Sequence, residues 1–438
     1  MIDASLEELV EERQFAELLG SQADAFFRLT NTLTAHAEAG RAWTKSHFFQ
    51  LVAETDALES FLDDFGGRYN RTYAGITELV ASLRWFANSG YSISHLLARL
   101  RSYGNAMWES SDLEEEARVA ISKGLDFLRT TSMRLIAAVR EEANELGVEI
   151  RTERLPEGSF LAPATQLKLP RNVGQEELVN EEQKIAEVAT KFLQGAEMVA
   201  ATGVRAFEDE RERRRFLAKV CTEAKARVYE ATIHNLQSTY DTHIRNTVLE
   251  GKDERLPRLR GHASAALHLL QAVTDLAHFL ERHESDHRAI EAQRRVFELV
   301  ERAEVERVTA EVFLAWAHRI LQNGTDLAED LLPEYTNLQE LELELPVDVV
   351  LHARPAALIV GIVNHYGTPV EMQIRDHRCN AASILELLVA VGSNPDERQY
   401  VFHGDERPLR DIEKLFAGGL GEGGMDKLPP ELDYLRQQ

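Results

Sequence analysis

The sequence predicts a multidomain fold, in which an all-α helical bundle region is followed by a smaller C-terminal α/β domain. Over most of residues 1–333, apolar side chains recur at three- and four-residue spacing, which is typical of amphipathic helices. Strict alternation then begins at Leu341-Glu342-Leu343-Glu344-Leu345, which is typical of a half-buried strand. The apolar run Leu358–Val363 follows and predicts a helix, so the last part of the chain mixes both element types.

The helical region divides at a stretch that loses its periodicity. Residues 1–148 predict a helical bundle, with breaks at several glycines, among them Gly90, and a capping box at Ser111-x-x-Glu114. Residues 149–180 gather prolines and predict a linker or a long loop laid over the surface. Residues 181–333 predict a second helical region, in which the mixed-charge segment Arg205–Leu249 reads as one long solvated helix.

Composition limits the classes of partner and compartment. The 438 residues carry 73 acidic and 49 basic side chains, a net charge of −24, which argues against nucleic acid and anionic membranes as direct partners. Two cysteines, Cys221 and Cys379, imply no disulfide framework and fit a reducing compartment. The first residues lack the apolar core of a signal peptide, so we expect a cytoplasmic protein. Long amphipathic helices leave a homodimer open.

The segment Leu351-His352-Ala353-Arg354-Pro355 lies where the predicted strand passes into the predicted helix. The first N–H groups of a helix lack partners within it and carry the positive end of its dipole, so they attract anions. Imidazole is a nucleophile near neutral pH, and a guanidinium two residues on would hold phosphoryl oxygens. The spacing therefore predicts a phosphohistidine site, although a plain helix cap with a surface histidine and arginine has the same spacing.

Two motifs give this region a resemblance to a known family. Leu351-His352-Ala353-Arg354-Pro355-Ala356 and Asn380-Ala381-Ala382-Ser383-Ile384-Leu385 stand in register without a gap. The stretch 338–416 thereby resembles HPr, the histidine-containing phosphocarrier of the bacterial phosphoenolpyruvate:sugar phosphotransferase system. The resemblance implies an open-faced β-sandwich, phosphorylation of His352 by an enzyme I-like donor with help from Arg354, and no cofactor. It also implies that Ser383 is a candidate for modification by an HPr kinase/phosphatase, and that Ile384, Leu385 and Leu388 dock partners.

The segment departs from the HPr pattern at three points. Glu386 replaces a usual glycine, Ser393-Asn394-Pro395 replaces a glycine-containing turn, and the strand expected at Gln399–His403 is less aliphatic than usual. Ser383-x-x-Glu386 also fits a capping box. These departures leave the histidine motif intact and favour a regulatory relative, which would signal to a downstream phosphoacceptor protein, over a plain sugar-transport carrier.

Two further segments match the sequence patterns of known binding sites. His283-Glu284-Ser285-Asp286-His287 spells H-E-x-x-H, a zinc pattern, but charged neighbours make it a weak metal candidate. Gly419-Leu420-Gly421-Glu422-Gly423-Gly424 matches a dinucleotide fingerprint, yet it follows a helix rather than a strand. We interpret residues 417–438 as a flexible tail and expect no bound metal.

These observations lead to one principal function and two rivals. The principal hypothesis is a phosphocarrier or regulatory protein, not itself an enzyme, whose helical region is a docking or output module. The first rival is a scaffold that uses the HPr-like domain only as a docking surface. The remote rival is a zinc hydrolase built on His283, Glu284 and His287.

Overall fold

A computed structural model of the chain describes residues 9–103, 108, 110–156, 158–160, 181–282, 290–346 and 349–437. The helices are α1 (Glu12–Gln22), α2 (Asp24–Glu38), α3 (Lys45–Asp64), α4 (Ala74–Tyr103), α5 (Ser111–Glu145), α6 (Glu181–Ala200), α7 (Glu210–Val220), α8 (Glu223–His243), α9 (Val248–Lys252), α10 (Arg255–Arg282), α11 (Ile290–Val300), α12 (Arg302–Arg307), α13 (Ala315–Asn323), α14 (Thr325–Tyr335), α15 (Ala353–Tyr366), α16 (Ile384–Ser393) and α17 (Glu406–Ala417). The strands are β1 (Leu338–Glu344), β2 (Val370–Ile374), β3 (His377–Asn380) and β4 (Gln399–Asp405). A π-helical stretch, Val308–Leu314, joins α12 to α13.

The predicted break at Gly90 is wrong, because α4 runs through it without interruption. A Cβ at Gly90 would lie 2.2 Å from Cε1 of Phe48, so the glycine is needed for close packing of two helices and does not end either of them. Phe48 is fully buried there.

Two helix boundaries also differ from the sequence prediction. Ser110, one residue before the predicted cap, accepts the hydrogen bond from Leu113 N–H that opens α5. The segment predicted as one helix from Arg205 to Leu249 forms α7, α8 and α9. Its first break falls after Cys221, where the hydroxyl of Thr222 accepts from Lys225 N–H and starts α8. Side-chain caps of this kind satisfy the unpaired first amides of a helix.

The first part of the predicted linker packs on the helical bundle. Residues 151–156 have no regular structure, but the Asn31 side-chain amide donates to the carbonyl oxygens of Arg151 and Glu153 at 3.0 and 2.9 Å. The hydroxyl of Thr32 accepts from Leu155 N–H at 2.9 Å. These bonds supply partners for backbone groups that no helix or strand satisfies.

The chain forms two compact units whose limits differ from the predicted sequence boundaries. One unit comprises residues Met1–Arg171, Met198–Ile233 and Ser264–Asn323, and the other comprises Asn172–Glu197, His234–Ala263 and Gly324–Gln438. The regular elements of the first unit are all helical in its described residues, and its core is rich in phenylalanine, including Phe26, Phe27, Phe48 and Phe86. In the described part of the chain, no helix is both long enough and apolar enough to cross a membrane.

The second unit contains the α/β domain, which confirms the predicted fold class. Its antiparallel sheet has the strand order β1-β4-β2-β3. The sheet shares one apolar core with α15, α16 and α17, including Ile359, Met372 and Phe402. On β1 the glutamates are exposed, while Leu341 and Leu343 are only partly buried. This arrangement is an open-faced β-sandwich that carries helices on one side.

The segment after α17 is folded, in contrast to the flexible tail predicted for residues 417–438. It makes three short 3-10 turns, Gly419–Gly421, Met425–Lys427 and Pro430–Gln437. Leu420, Leu428, Leu432 and Leu435 are buried in the core of the α/β domain. Leu428, Leu432 and Leu435 recur at spacings of four and three residues. This apolar pattern predicts the folded segment better than the glycines that precede it predict a flexible one.

Candidate functional site

His352 lies at the N-terminus of α15, as the sequence predicts. Its backbone is extended, and its side chain caps the helix because Nδ1 accepts a hydrogen bond from Arg354 N–H at 3.3 Å. Pro355 is in the first turn, where a missing N–H costs nothing, and its side chain is buried together with that of Ala356. The buried first turn anchors the helix, while half of the His352 side chain stays exposed.

The other ring nitrogen of His352 contacts a residue that sequence reasoning missed. Nε2 lies 2.7 Å from Oε1 of Glu422. Since Nδ1 accepts a hydrogen bond from the Arg354 N–H, the neutral ring carries its own proton on Nε2. The imidazole therefore donates to Glu422 and keeps the Nδ1 lone pair facing the start of α15. Glu422 belongs to the glycine-rich segment that the sequence suggested was flexible.

Arg354 carries a positive charge in the first turn of α15. Its side chain is exposed, and among the residues that the structure describes its guanidinium has no ion-pair or hydrogen-bond partner. The helix dipole adds positive potential at the same place. An anion that binds at Nδ1 would meet the first amides of α15 and have an exposed cation within the same helical turn.

A cavity of about 570 Å³ opens beside His352. Its wall includes Val349, Leu388, Val391 and Arg398. The guanidinium of Arg398 donates to the carbonyl oxygen of Leu345 at 2.8 Å and also to that of Pro346. Arg398 thereby ties the start of β4 to the chain that follows β1, a positioning contact that no sequence motif signals.

Ser383 caps α16, and the predicted capping box is only half formed. The hydroxyl of Ser383 accepts from Glu386 N–H at 3.4 Å. The Glu386 carboxylate does not return to the Ser383 amide but accepts from Asn380 N–H at 3.0 Å. The Ser383 amide donates to the carbonyl oxygen of Asn380. Glu386 therefore holds the turn before α16 and places a negative charge at the helix start.

The predicted docking residues lie along α16 with different exposures. Leu385 is 69% exposed and Ile384 is 41% exposed, while Leu388 is partly buried in the cavity wall. Val389 and Val350 are also exposed and were not predicted. Exposed apolar side chains grouped in this way are typical of a protein-binding surface.

The H-E-x-x-H motif, with His283, Glu284 and His287, lies outside the described residues. Within the described ranges, no cluster of three or more histidine, cysteine or acidic side chains could hold a metal ion. The prediction that these histidines are a weak metal candidate stays a prediction.

Comparison with known families supports the resemblance carried by the two motifs. Residues 340–397 match the family of the PTS HPr component phosphorylation site, while the helical region has no family match. No curated protein and no solved structure matches the chain. The matched segment spans β1 to the residues before β4 and includes both His352 and Ser383. The chain thus carries an HPr domain at its C-terminal end, and HPr domains are phosphocarriers rather than catalytic domains.

Proposed function

We propose that the protein accepts a phosphoryl group on Nδ1 of His352 from an enzyme I-like donor and then passes it on or signals with it. The observation that carries the proposal is the capping geometry of His352 within an HPr-family segment. The nucleophilic nitrogen faces the amide of Arg354, at the place where a helix start stabilises an anion.

The transfer is an in-line displacement at phosphorus. The lone pair of Nδ1 forms the new N–P bond while the bond from phosphorus to the donor's own phosphorylated group breaks, so no other reactant is needed. The proton stays on Nε2, and the ring gains positive charge that the Glu422 carboxylate offsets at 2.7 Å. The Arg354 guanidinium and the first amides of α15 stabilise the charge on the phosphoryl oxygens.

The helical region is proposed to be the output or docking module. Support comes from a contact within the second unit, where Glu187 of α6 packs against Gly367, which ends α15 in a left-handed conformation. A Cβ at Gly367 would lie 2.5 Å from Cγ of Glu187. Helix α15, which begins at the proposed phosphoryl acceptor, therefore contacts α6 of the helical region at its other end.

The test is phosphorylation of the full chain by enzyme I, phosphoenolpyruvate and magnesium, with a standard carrier as a positive control. Acid-labile label is expected on the wild type and on Arg354→Lys at a reduced rate, but not on His352→Ala. His352→Ala removes the side-chain cap of α15 and the contact with Glu422 but no buried side chain, so the circular-dichroism spectrum should be unchanged and the unfolding midpoint only slightly lower. Equal labelling of wild type and His352→Ala would overturn the proposal.

A scaffold that uses the HPr domain only for docking is the second candidate, favoured by the exposed apolar side chains of α16. Under this reading, an enzyme I pull-down would lose its signal with Leu385→Asp and keep it with His352→Ala, while no label would appear on the wild type. Ser383 is proposed as the site of a second, kinase-dependent modification, which phosphopeptide analysis of Ser383→Ala would test.

A further inference from the structure

Residues 418–429, which follow α17, form a closed loop that we call the C-terminal loop. Its two ends meet, because a Cβ built on Gly418 would lie 3.1 Å from Cδ of Pro429. Leu420 and Leu428 anchor the loop in the core of the α/β domain. Compact surface loops with neighbouring ends and their own packed side chains frequently carry function. The C-terminal loop is therefore a defined part of the fold whose role can be asked.

The C-terminal loop lies on the helix that His352 begins. A Cβ at Gly421 would lie 2.6 Å from Cδ1 of Leu358, so the loop backbone is in close contact with α15. The next residue, Glu422, places its Oε1 2.7 Å from Nε2 of His352. The Glu422 amide donates to the carbonyl oxygen of Gly419 at 3.1 Å. The position of the Glu422 carboxylate thus depends on how the loop is held against α15.

Arg436 holds the second half of the loop from outside it. Its Nε donates to the carbonyl oxygen of Met425 at 3.0 Å, and its Nη2 donates to those of Asp426 and Leu428 at 3.4 and 3.2 Å. The remaining terminal nitrogen, Nη1, lies 3.1 Å from Oδ1 of Asp433. A guanidinium presents its donors in a rigid plane, and hydrogen bonds from a charged donor are stronger than those between neutral groups. One side chain therefore fixes three carbonyl groups of the loop.

Two backbone hydrogen bonds connect the turn held by Arg436 to the turn that carries Glu422. Lys427 N–H donates to the carbonyl oxygen of Gly424 at 3.1 Å, and Gly424 N–H donates to that of Gly421 at 3.0 Å. Gly421 and Gly424 both have positive φ values, which glycine adopts without steric cost. Because these turns follow one another without a break, a displacement at the Arg436 end would move Glu422.

We propose that Arg436 is a positioning residue for the phosphoryl acceptor, acting through the C-terminal loop and Glu422 on His352. The inference rests on the proposed function of His352 and deepens it. Arg436 holds the loop backbone, the loop holds the Glu422 carboxylate, and the carboxylate orients the imidazole so that Nδ1 faces the start of α15. The segment that follows α17 is thereby a working part of the acceptor site.

The first test observes the Glu422 contact without any phosphorylation. In proton–nitrogen NMR of the full chain carrying isotope-labelled histidine, Nε2–H of His352 should give a signal protected from exchange with water. Its loss in His352→Ala assigns it. Arg436→Met keeps the length of the side chain and removes every donor, so it should weaken or abolish the signal, as should Glu422→Ala. Arg410→Met is the matched control and should leave the signal unchanged, because Arg410 pairs with Glu406 of its own helix.

The second test is a double-mutant cycle on the rate of phosphorylation by enzyme I. Arg436→Met should lower kcat by about 1.4- to 5-fold, the effect expected from losing an exposed ion pair at the acceptor, and should leave KM for the carrier unchanged. In the Glu422→Ala background, Arg436→Met should have no further effect, because both substitutions remove the same contact. Arg436→Lys keeps the charge but not the planar set of donors, so its rate should lie between those of the wild type and Arg436→Met.

Three results would overturn the proposal. These are absence of the protected His352 signal from the wild type, an equally strong signal in Arg436→Met, or an equal loss of rate on Arg436→Met with and without Glu422. Arg436 is exposed, so the circular-dichroism spectrum should be the same in all variants, and Arg436→Lys replaces Arg436→Met in both tests if the latter does not fold. A wild type that accepts no phosphoryl group would refute the proposed function, while the NMR result would still decide the role of Arg436.

Discussion

Glu422→Gln is expected to slow phosphorylation of His352 without abolishing it. Glu422 accepts the Nε2 proton at 2.7 Å, and this contact orients the ring and offsets the charge that develops during transfer. Glutamine keeps the shape and a hydrogen-bond acceptor but removes the negative charge. The perturbation therefore isolates the electrostatic part of the contact.

The expected size of the rate decrease depends on how exposed the side chains of His352 and Glu422 are. The His352 side chain is 50% exposed and that of Glu422 is 38% exposed, so water and salt screen the pair. Exposed ion pairs contribute about 0.2–1 kcal/mol, which corresponds to a rate decrease of about 1.4- to 5-fold when the interaction acts in the transition state. The decrease should shrink at high salt, because screening weakens the pair in the wild type.

The assay is the initial rate of phosphorylation at limiting enzyme I, measured for Glu422→Gln beside Glu431→Gln. Glu431 lies in the same C-terminal segment, is exposed and has no side-chain partner among the described residues, so its replacement changes the net charge equally. Glu431→Gln should match the wild type. An unchanged rate in Glu422→Gln would refute the orienting role, and a faster rate would mean that repulsion of the incoming phosphoryl group outweighs it.

Three further predictions concern folding. Leu432→Ala should lower the free energy of unfolding of the second unit by about 2–5 kcal/mol in urea titration, because this fully buried leucine belongs to the α/β core; a change below about 0.5 kcal/mol, typical of surface substitutions, would contradict the folded tail. Gly90→Ala should destabilise the first unit by about 1–3 kcal/mol through the clash with Phe48, while Gly251→Ala, with no atom near its Cβ, should be neutral or stabilising. Burial lowers the pKa values of His47 and His95 from 6.5 to about 4, so the unfolded chain binds more protons between these pH values. Stability should therefore be complete above about pH 6.5 and fall as the pH drops toward 4, with a flatter profile in His47→Gln.

The sequence predicts well what depends on neighbouring residues. Helical periodicity locates α15 because this helix buries one face, and the motif around His352 places the histidine at a helix start because capping is local. Pattern reasoning fails where the cause is a distant contact. From sequence alone, Gly90 resembles a helix break. In the structure it lies within α4, where it allows Phe48 to pack closely.

The same limit explains the residues that were missed at the site. Glu422 and Arg398 reach His352 or its preceding loop from far along the chain, and neither lies in a motif that points to the histidine. Gly419, Gly421 and Gly424 have positive φ values. These glycines, which suggested a flexible segment, therefore form tight turns. Those turns bring Glu422 to the histidine and the following leucines to the core.

The two helix starts of the HPr domain are not equivalent as sites for phosphate. At α15 the Arg354 amide faces Nδ1, and the Glu422 carboxylate is on the opposite ring nitrogen. At α16 the Glu386 carboxylate already accepts from Asn380 N–H, within the turn that Ser383 caps. A phosphate on Ser383 would meet this like charge, which offsets part of the gain from the helix dipole. We therefore expect phosphate to be favoured at His352 over Ser383, and we expect Glu386, which stands where a glycine is usual, to cause part of this difference.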